Sequence, residues 1–142
     1  MAEVLLRAAL SPDSPWRVAS AGLAAGEGTR ASDHAIAAVG EVGCDLRDHR
    51  SRALTAERVR EADAIVAMTS GHAQQIAERF PNARDRIHLL RTFASTPSAC
   101  ADIHDPFCGT LDDYRRCRDV IRLAIPGLVH FLEQTESSVS KT

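Results

Sequence analysis

Apolar positions along the chain recur first at helical spacing. Val4, Leu5, Ala8 and Ala9 form one stripe, with Glu3 in the first turn where the helix dipole favours an anion. A helix that starts at Met1 has no preceding turn to satisfy its first amides. "SPDSP" then reads as a turn, and "WRVASAG" as a strand running into a glycine loop. After the loop "AGEGTRAS", Ser32 is placed to cap a helix from Asp33 to about Val42, stopped by Gly43. "CDLRDHRSRAL" is a short polar strand or loop, and Thr55 caps a helix through Glu61 with its charges outward. "DAIVAM" is a short apolar run of the kind that forms a buried strand. Thr69 or Ser70 opens the next helix, Pro81 ends it, and "RIHLL" is a further strand. The long loop "TFASTPSACADIHDPFCGT" leads to Asp112 and Asp113, which start a last helix through about Glu133, disturbed at Pro126.

Strands alternating with helices predict an α/β domain with a parallel sheet. Three strands are expected, near residues 16–20, 64–68 and 87–90. The pattern is a repeated βα unit whose first β is absent, since the opening helix follows no strand. One domain is predicted over residues 1–133, with 134–142 as a flexible tail.

Composition narrows the function classes. A formal charge of −2 argues against nucleic acid and against a membrane surface. There is neither a long apolar span nor a basic-then-apolar leader, so the expected location is the cytoplasm. Cys44, Cys100, Cys108 and Cys117 have no framework spacing and are expected to be reduced thiols there. All the basic residues are arginine except Lys141.

Several segments together resemble the low molecular weight protein tyrosine phosphatases. "WRVASAG" is similar to that family's second strand and small-residue loop, and "GCDLRDHRSRAL" to its glycine, histidine and arginine stretch. "DAIVAMTSGH" resembles its third strand and helix cap. "DIHDPF", followed by "LDDYRRCRDVI", looks like its acid loop and last helix. The segments run from Met1 to about Leu132 in the family's order. The resemblance implies a flavodoxin-like three-layer domain with strand order 2-1-3-4. It also implies hydrolysis of phosphotyrosine or another aryl phosphate through a phosphocysteine, with no cofactor and no metal. In that family "MAE" directly follows a phosphate-binding loop of the form C-x5-R-S-P. The expectation is therefore that the first strand and the nucleophile loop are absent from this chain, which would leave it inactive.

Carried over residue by residue, the resemblance makes Asp105 the general acid and base. It makes Phe107 the aromatic that flanks the substrate, and Ser20 and His49 the supports of the phosphate loop. Without the resemblance, Asp105 reads as a turn aspartate before proline, Phe107 as loop packing, Ser20 as a strand-end serine and His49 as an exposed histidine.

Other motifs carry less. "CDLRDHRS" spells C-x5-R-S from Cys44 to Ser51, but Asp45 and Asp48 would repel a dianion and no glycine lies inside the stretch. Cys100, His104 and Cys108 are spaced C-x3-H-x3-C, looser than zinc pairs, and Pro106 denies them a common helix face. Tyr114 and Cys117 read as core, and His34, His72, His88 and His130 receive no role. Two other classes stay open. One is a non-catalytic binding or regulatory relative that forms homo-oligomers through exposed sheet edges. The other is a thiol-dependent arsenate reductase using Cys100 and Cys108 as its pair.

Overall fold

Hydroxyl caps set where the helices begin. A computed structural model of the protein describes residues 1–96 and 100–139. The Ser32 hydroxyl accepts from the Ala35 amide at 3.2 Å and starts α2, Asp33–Gly40. Thr55 does the same for α3, Ala56–Glu61, and Thr69 for α4, Ser70–Arg79. Each satisfies an amide that the first helical turn leaves without a partner. The exception is α1, Ala2–Ala9, whose cap position is Met1 and which has no side-chain cap hydrogen bond.

Strands β1, Ile65–Ala67, and β2, Ile87–Leu89, pair in parallel with Ile65 opposite Ile87 and Ala67 opposite Leu89. Parallel neighbours need a crossover, which α4 and a 3-10 turn at Pro81–Arg86 provide. The fold is thus α/β with an open parallel sheet. Its sheet differs from the expected three strands. Residues 16–20 hold no ladder pairing, and the only pairings outside β1 and β2 among the described residues are the Gly22–Ala53 and Arg30–Arg50 bridges. A strand exists only through neighbouring amides and carbonyls. Here the Val18 carbonyl is instead taken by the Arg7 guanidinium at 2.9 Å.

Helix α5, Leu111–Val139, is the spine of the molecule and continues past the expected end at Glu133. Ser140–Thr142 of the expected tail, and Pro97–Ala99 of the expected long loop, lie outside the described residues. Pro126 does not interrupt the helix. Ile121, Ala124, Ile125, Leu128 and Leu132 pack its inner face on Leu5, Leu90 and Ile103. Nearer its start, Tyr114 joins Ala35, Ala38, Val39 and Leu46 in a second cluster. Polar contacts fasten α2 to α5 beside that cluster. The Glu41 carboxylate receives Arg115 at 2.5 Å and Arg118 at 2.7 Å, and Arg118 also donates to the Ala38 carbonyl.

Two backbone positions are tight. Gly127 lies against the short 3-10 turn Leu90–Phe93, where a Cβ would come within 2.0 Å of the Phe93 carbonyl oxygen. In the loop before α5, Cys108 takes a left-handed conformation with φ 61°. Ordinary side chains occupy that region only at a cost.

Three outcomes are expected. Gly127→Ala gains helix propensity of about 1 kcal/mol yet forces the Phe93 backbone away, for a net loss of about 1–3 kcal/mol. Urea unfolding should show this as a lower midpoint at unchanged slope. Cys108→Gly should raise stability by about 1 kcal/mol in the same assay, because glycine is at ease at positive φ. The third concerns acid. The Arg115 and Arg118 hydrogen bonds lower the Glu41 pKa from 4.5 to about 2. A folded-state value below the unfolded one stabilises the fold above the unfolded pKa, and that contribution disappears as pH falls through the folded value. Glu41→Gln should therefore narrow the stability difference between pH 5 and pH 2, read from thermal midpoints.

Candidate active site

A buried carboxylate organises the start of α1. Glu3 is only 7% exposed. Its Oε2 accepts from the Ser20 hydroxyl at 2.5 Å and lies 3.5 Å from His49 Nδ1. Its Oε1 accepts from Arg7 Nη2 at 2.6 Å, one helical turn along. Burial pushes the Glu3 pKa up, but the Ser20 and Arg7 hydrogen bonds and the charges of His49 and Arg7 outweigh it, and the net shift is downward. Three chain segments thus meet at one anion: α1, the extended stretch ending at Ser20, and the loop carrying His49.

The loop that carries Asp105 is held at both ends. At its root, the Asp102 carboxylate accepts from the Ser70 amide at 2.6 Å and from the Ser70 hydroxyl at 3.2 Å. It thereby seals the positive end of α4. Next to it the Ile103 amide donates to the Met68 carbonyl just after β1, with the Ile103 side chain buried in the core. At the far end, the Asp113 carboxylate accepts from the Thr110 amide and hydroxyl, both at 2.7 Å, and opens α5. Between these anchors Asp105 is exposed, and its Oδ1 accepts from the Phe107 amide at 3.0 Å. The second oxygen makes no hydrogen bond among the described residues. The Phe107 ring is 79% exposed beside it.

The Asp105 charge reaches the Cys117 thiol, whose pKa is raised first by burial and then by that carboxylate. Cys117 and Glu3 both act on the Met1 amino group, which burial pushes down.

Neither Cys117 nor Cys44 has the surroundings of a phosphate-attacking thiolate. Cys117 is held toward the neutral thiol, and Cys44 Sγ points at the Val4 carbonyl at 3.9 Å. The C-x5-R-S stretch forms no anion cup. The Arg47 amide is taken by Asp45 and the His49 amide by the Leu46 carbonyl. The Arg50 guanidinium donates to the carbonyls of Arg47 and His49. Among the described residues no three His, Cys, Asp or Glu side chains are grouped to hold a metal ion.

Sequence reasoning missed Glu3 as the centre of the cluster, reading it only as a dipole partner. The i, i+4 spacing to Arg7 was the available signal. It also missed Asp102, for which no local pattern exists, since its partner Ser70 lies far back in the chain.

Comparison with known proteins gives these groups a context. A sequence model described as low molecular weight phosphotyrosine protein phosphatase matches residues 1–138. The chain is 43% identical over 119 residues to a protein-arginine-phosphatase of Geobacillus stearothermophilus, covering 84% of this chain and 78% of that one. It is 30% identical over 132 residues to the probable low molecular weight protein-tyrosine-phosphatase AmsI of Erwinia amylovora, covering 93% and 87%. Among solved structures, the YwlE arginine phosphatase from Geobacillus stearothermophilus superimposes with a TM-score of 0.84 at 38% identity, covering 96% of this chain and 86% of that one. The Erwinia amylovora tyrosine phosphatase AmsI superimposes with a TM-score of 0.81 at 30% identity, covering 91% and 81%. The architecture is accordingly flavodoxin-like, and the chain belongs to the low molecular weight phosphotyrosine protein phosphatase family.

Proposed function

We propose that these residues are the acid loop and the bracing cluster of a phosphatase acting on phosphorylated protein side chains, with phosphoarginine as the foremost substrate. The observation that carries this reading is the family match over residues 1–138, together with an exposed Asp105 on a loop tied down at both ends. Phosphoarginine is favoured over phosphotyrosine because the relatives named protein-arginine-phosphatase are 43% and 37% identical, whereas AmsI is 30% identical. The exposed Phe107 ring suits either leaving group, since a guanidinium stacks on an aromatic face as readily as a phenol packs against it.

In this reading a thiolate attacks phosphorus and the bond from phosphorus to the departing nitrogen or oxygen breaks. Asp105 delivers a proton to the departing atom. Water then attacks the phosphocysteine, Asp105 takes the water's proton, and phosphate and the thiolate are released. Ser20 and His49, fixed by Glu3, brace the phosphate-holding loop without touching phosphorus, so they are positioning residues. We assign the nucleophile to none of Cys44, Cys100, Cys108 and Cys117, and the 142-residue chain by itself should be inactive. We also place the protein in the cytoplasm, where thiols stay reduced. Among the described residues no helix is long and apolar enough to cross a membrane.

The direct test joins a hydrophobic strand and a C-x5-R-S-P loop of the family's form to Met1 by gene fusion. The fused protein should release phosphate from phosphoarginine peptides faster than from phosphotyrosine peptides, and Asp105→Asn should lower kcat by about 10²–10⁴-fold. Unchanged kcat in that variant would remove Asp105 from the mechanism, and a preference for phosphotyrosine would reverse the substrate order. For the unfused chain, p-nitrophenyl phosphate hydrolysis should match that of Cys44→Ser at background level. Glu3→Gln should cost about 1.5–3 kcal/mol of stability in either form, because it removes a charged acceptor shared by Arg7 and Ser20. That loss should shrink as the pH is lowered from neutrality through the lowered Glu3 pKa, where the native carboxylate also loses its charge.

A further inference from the structure

We propose that Arg30, Arg50 and Arg52 form an edge that docks an acidic stretch of the phosphoprotein substrate beside the site; as a substrate dock this rests on the phosphatase reading above. The edge is built by a backbone bridge that sets Arg30 directly opposite Arg50 in antiparallel sense. The flanking bond runs from the Ser51 amide to the Thr29 carbonyl at 2.8 Å. The pair is therefore of the non-hydrogen-bonded kind, whose Cα atoms stand about 4.5 Å apart and whose side chains leave on the same face. Arg52, two residues on, is exposed like Arg50, with the less exposed Ser51 between them.

Like charges directly opposite one another are unfavourable, and no carboxylate forms an ion pair with them among the described residues. Among the described residues neither Arg30 nor Arg52 makes an ion pair, and Arg50 turns its guanidinium onto the Arg47 and His49 carbonyls. Of the carboxylates nearby, Glu27 and Asp45 have other partners, and Asp48 makes no ion pair among the described residues. Glu27 accepts from the Ala53 amide at 2.9 Å and from Arg58 at 3.0 Å, with the Arg52 charge felt only at longer range. Asp45 is clamped by Arg47 at 2.6 Å, and Asp48 acts electrostatically on that same Arg47.

The edge is also rigid. The Ser51 hydroxyl accepts from the Thr29 amide at 3.0 Å and donates to the Gly26 carbonyl, and the Gly28 amide donates to the Ser51 carbonyl at 2.9 Å. Two loops are thus fastened together before any partner arrives, so little ordering entropy opposes binding. His49, whose ring faces Glu3, immediately precedes Arg50. A peptide whose phosphorylated residue approaches that end of the molecule would lay its neighbouring residues across the edge. Carboxylates of Asp or Glu are the groups that the Arg30 and Arg52 guanidiniums would receive, with the Arg50 charge beside them.

The test uses the unfused, ¹⁵N-labelled chain and a capped tetraglutamate peptide without any phosphoryl group, with a capped tetraglutamine peptide as control. The tetraglutamate peptide should shift the amides of residues 28–31 and 49–53 in a saturable way. Binding should weaken at least about fivefold when salt shortens the Debye length from about 20 Å to about 6 Å. The double variant Arg30→Gln, Arg52→Gln should lose most of the response while its remaining amide spectrum stays unchanged. Equal shifts from tetraglutamine, a response that maps elsewhere, or one that survives the double variant would overturn the proposal. Because the probe carries no phosphate and needs no nucleophile, its outcome is separate from the success or failure of the fused phosphatase.

Discussion

A carboxylate buried at the first turn of a helix can remain charged only if cations and hydroxyls gather round it, and Glu3 imposes that requirement on the rest of the chain. Arg7 comes from the same helix, but Ser20 and His49 come from segments far along the chain. The stretch at residues 16–20 has no ladder partner among the described residues, and Arg7 bonds both Glu3 and the Val18 carbonyl. One guanidinium therefore ties the anion and the extended chain together. The helix dipole adds to the same end, since an anion in the first turn sits where unpaired amides point.

The acid loop obeys the complementary rule that a mobile connection becomes precise when its ends are tied to regular elements. Both ties here are carboxylates at helix starts, Asp102 on α4 and Asp113 on α5. Each is favoured by the local dipole, and each uses hydrogen bonds that the helix would otherwise owe to water. The loop thus takes its shape from α4 and α5, which leaves the exposed Asp105 oxygen uncommitted.

What could be read from the sequence was local. Ser32, Thr55 and Thr69 announce helix starts because cap and amide lie within three residues of each other, and all three cap as expected. "DAIVAM" and "RIHLL" read as strands because a short apolar run needs no partner to be recognised, and they pair in parallel. Residues 16–20 have the composition of a strand but lack pairing, and pairing is a non-local property that composition does not encode. Pro126 was expected to disturb α5, yet the helix continues through it. Packing of Leu128 and Leu132 beyond it holds the far half in place despite the missing amide. Glu3 and Asp102 escaped for the same reason as the third strand. What makes them matter is burial or a partner brought from far along the chain. Asp105, Phe107, Ser20 and His49 were legible only through resemblance, since each has an ordinary reading as a turn, loop or surface residue.

The separation of the two carboxylates explains how one small domain can use the same functional group in opposite ways. Glu3 is enclosed and its pKa lies below the ordinary value, so it stays ionised as a fixed anchor across the neutral range. Asp105 sits in solvent with only the Phe107 amide as a hydrogen-bond partner, so nothing in the free protein commits its second oxygen. The proton transfer proposed for Asp105 needs that freedom, whereas the bracing proposed for the Glu3 cluster needs its absence. In the Glu3 environment a carboxyl stays ionised and holds no proton to give near neutrality, whereas an exposed, lightly held carboxylate would not fix Ser20 in place. The division follows from where the chain puts each residue, one inside a helix turn and one at the crest of a loop, and it requires no chemistry beyond that of an ordinary carboxyl group.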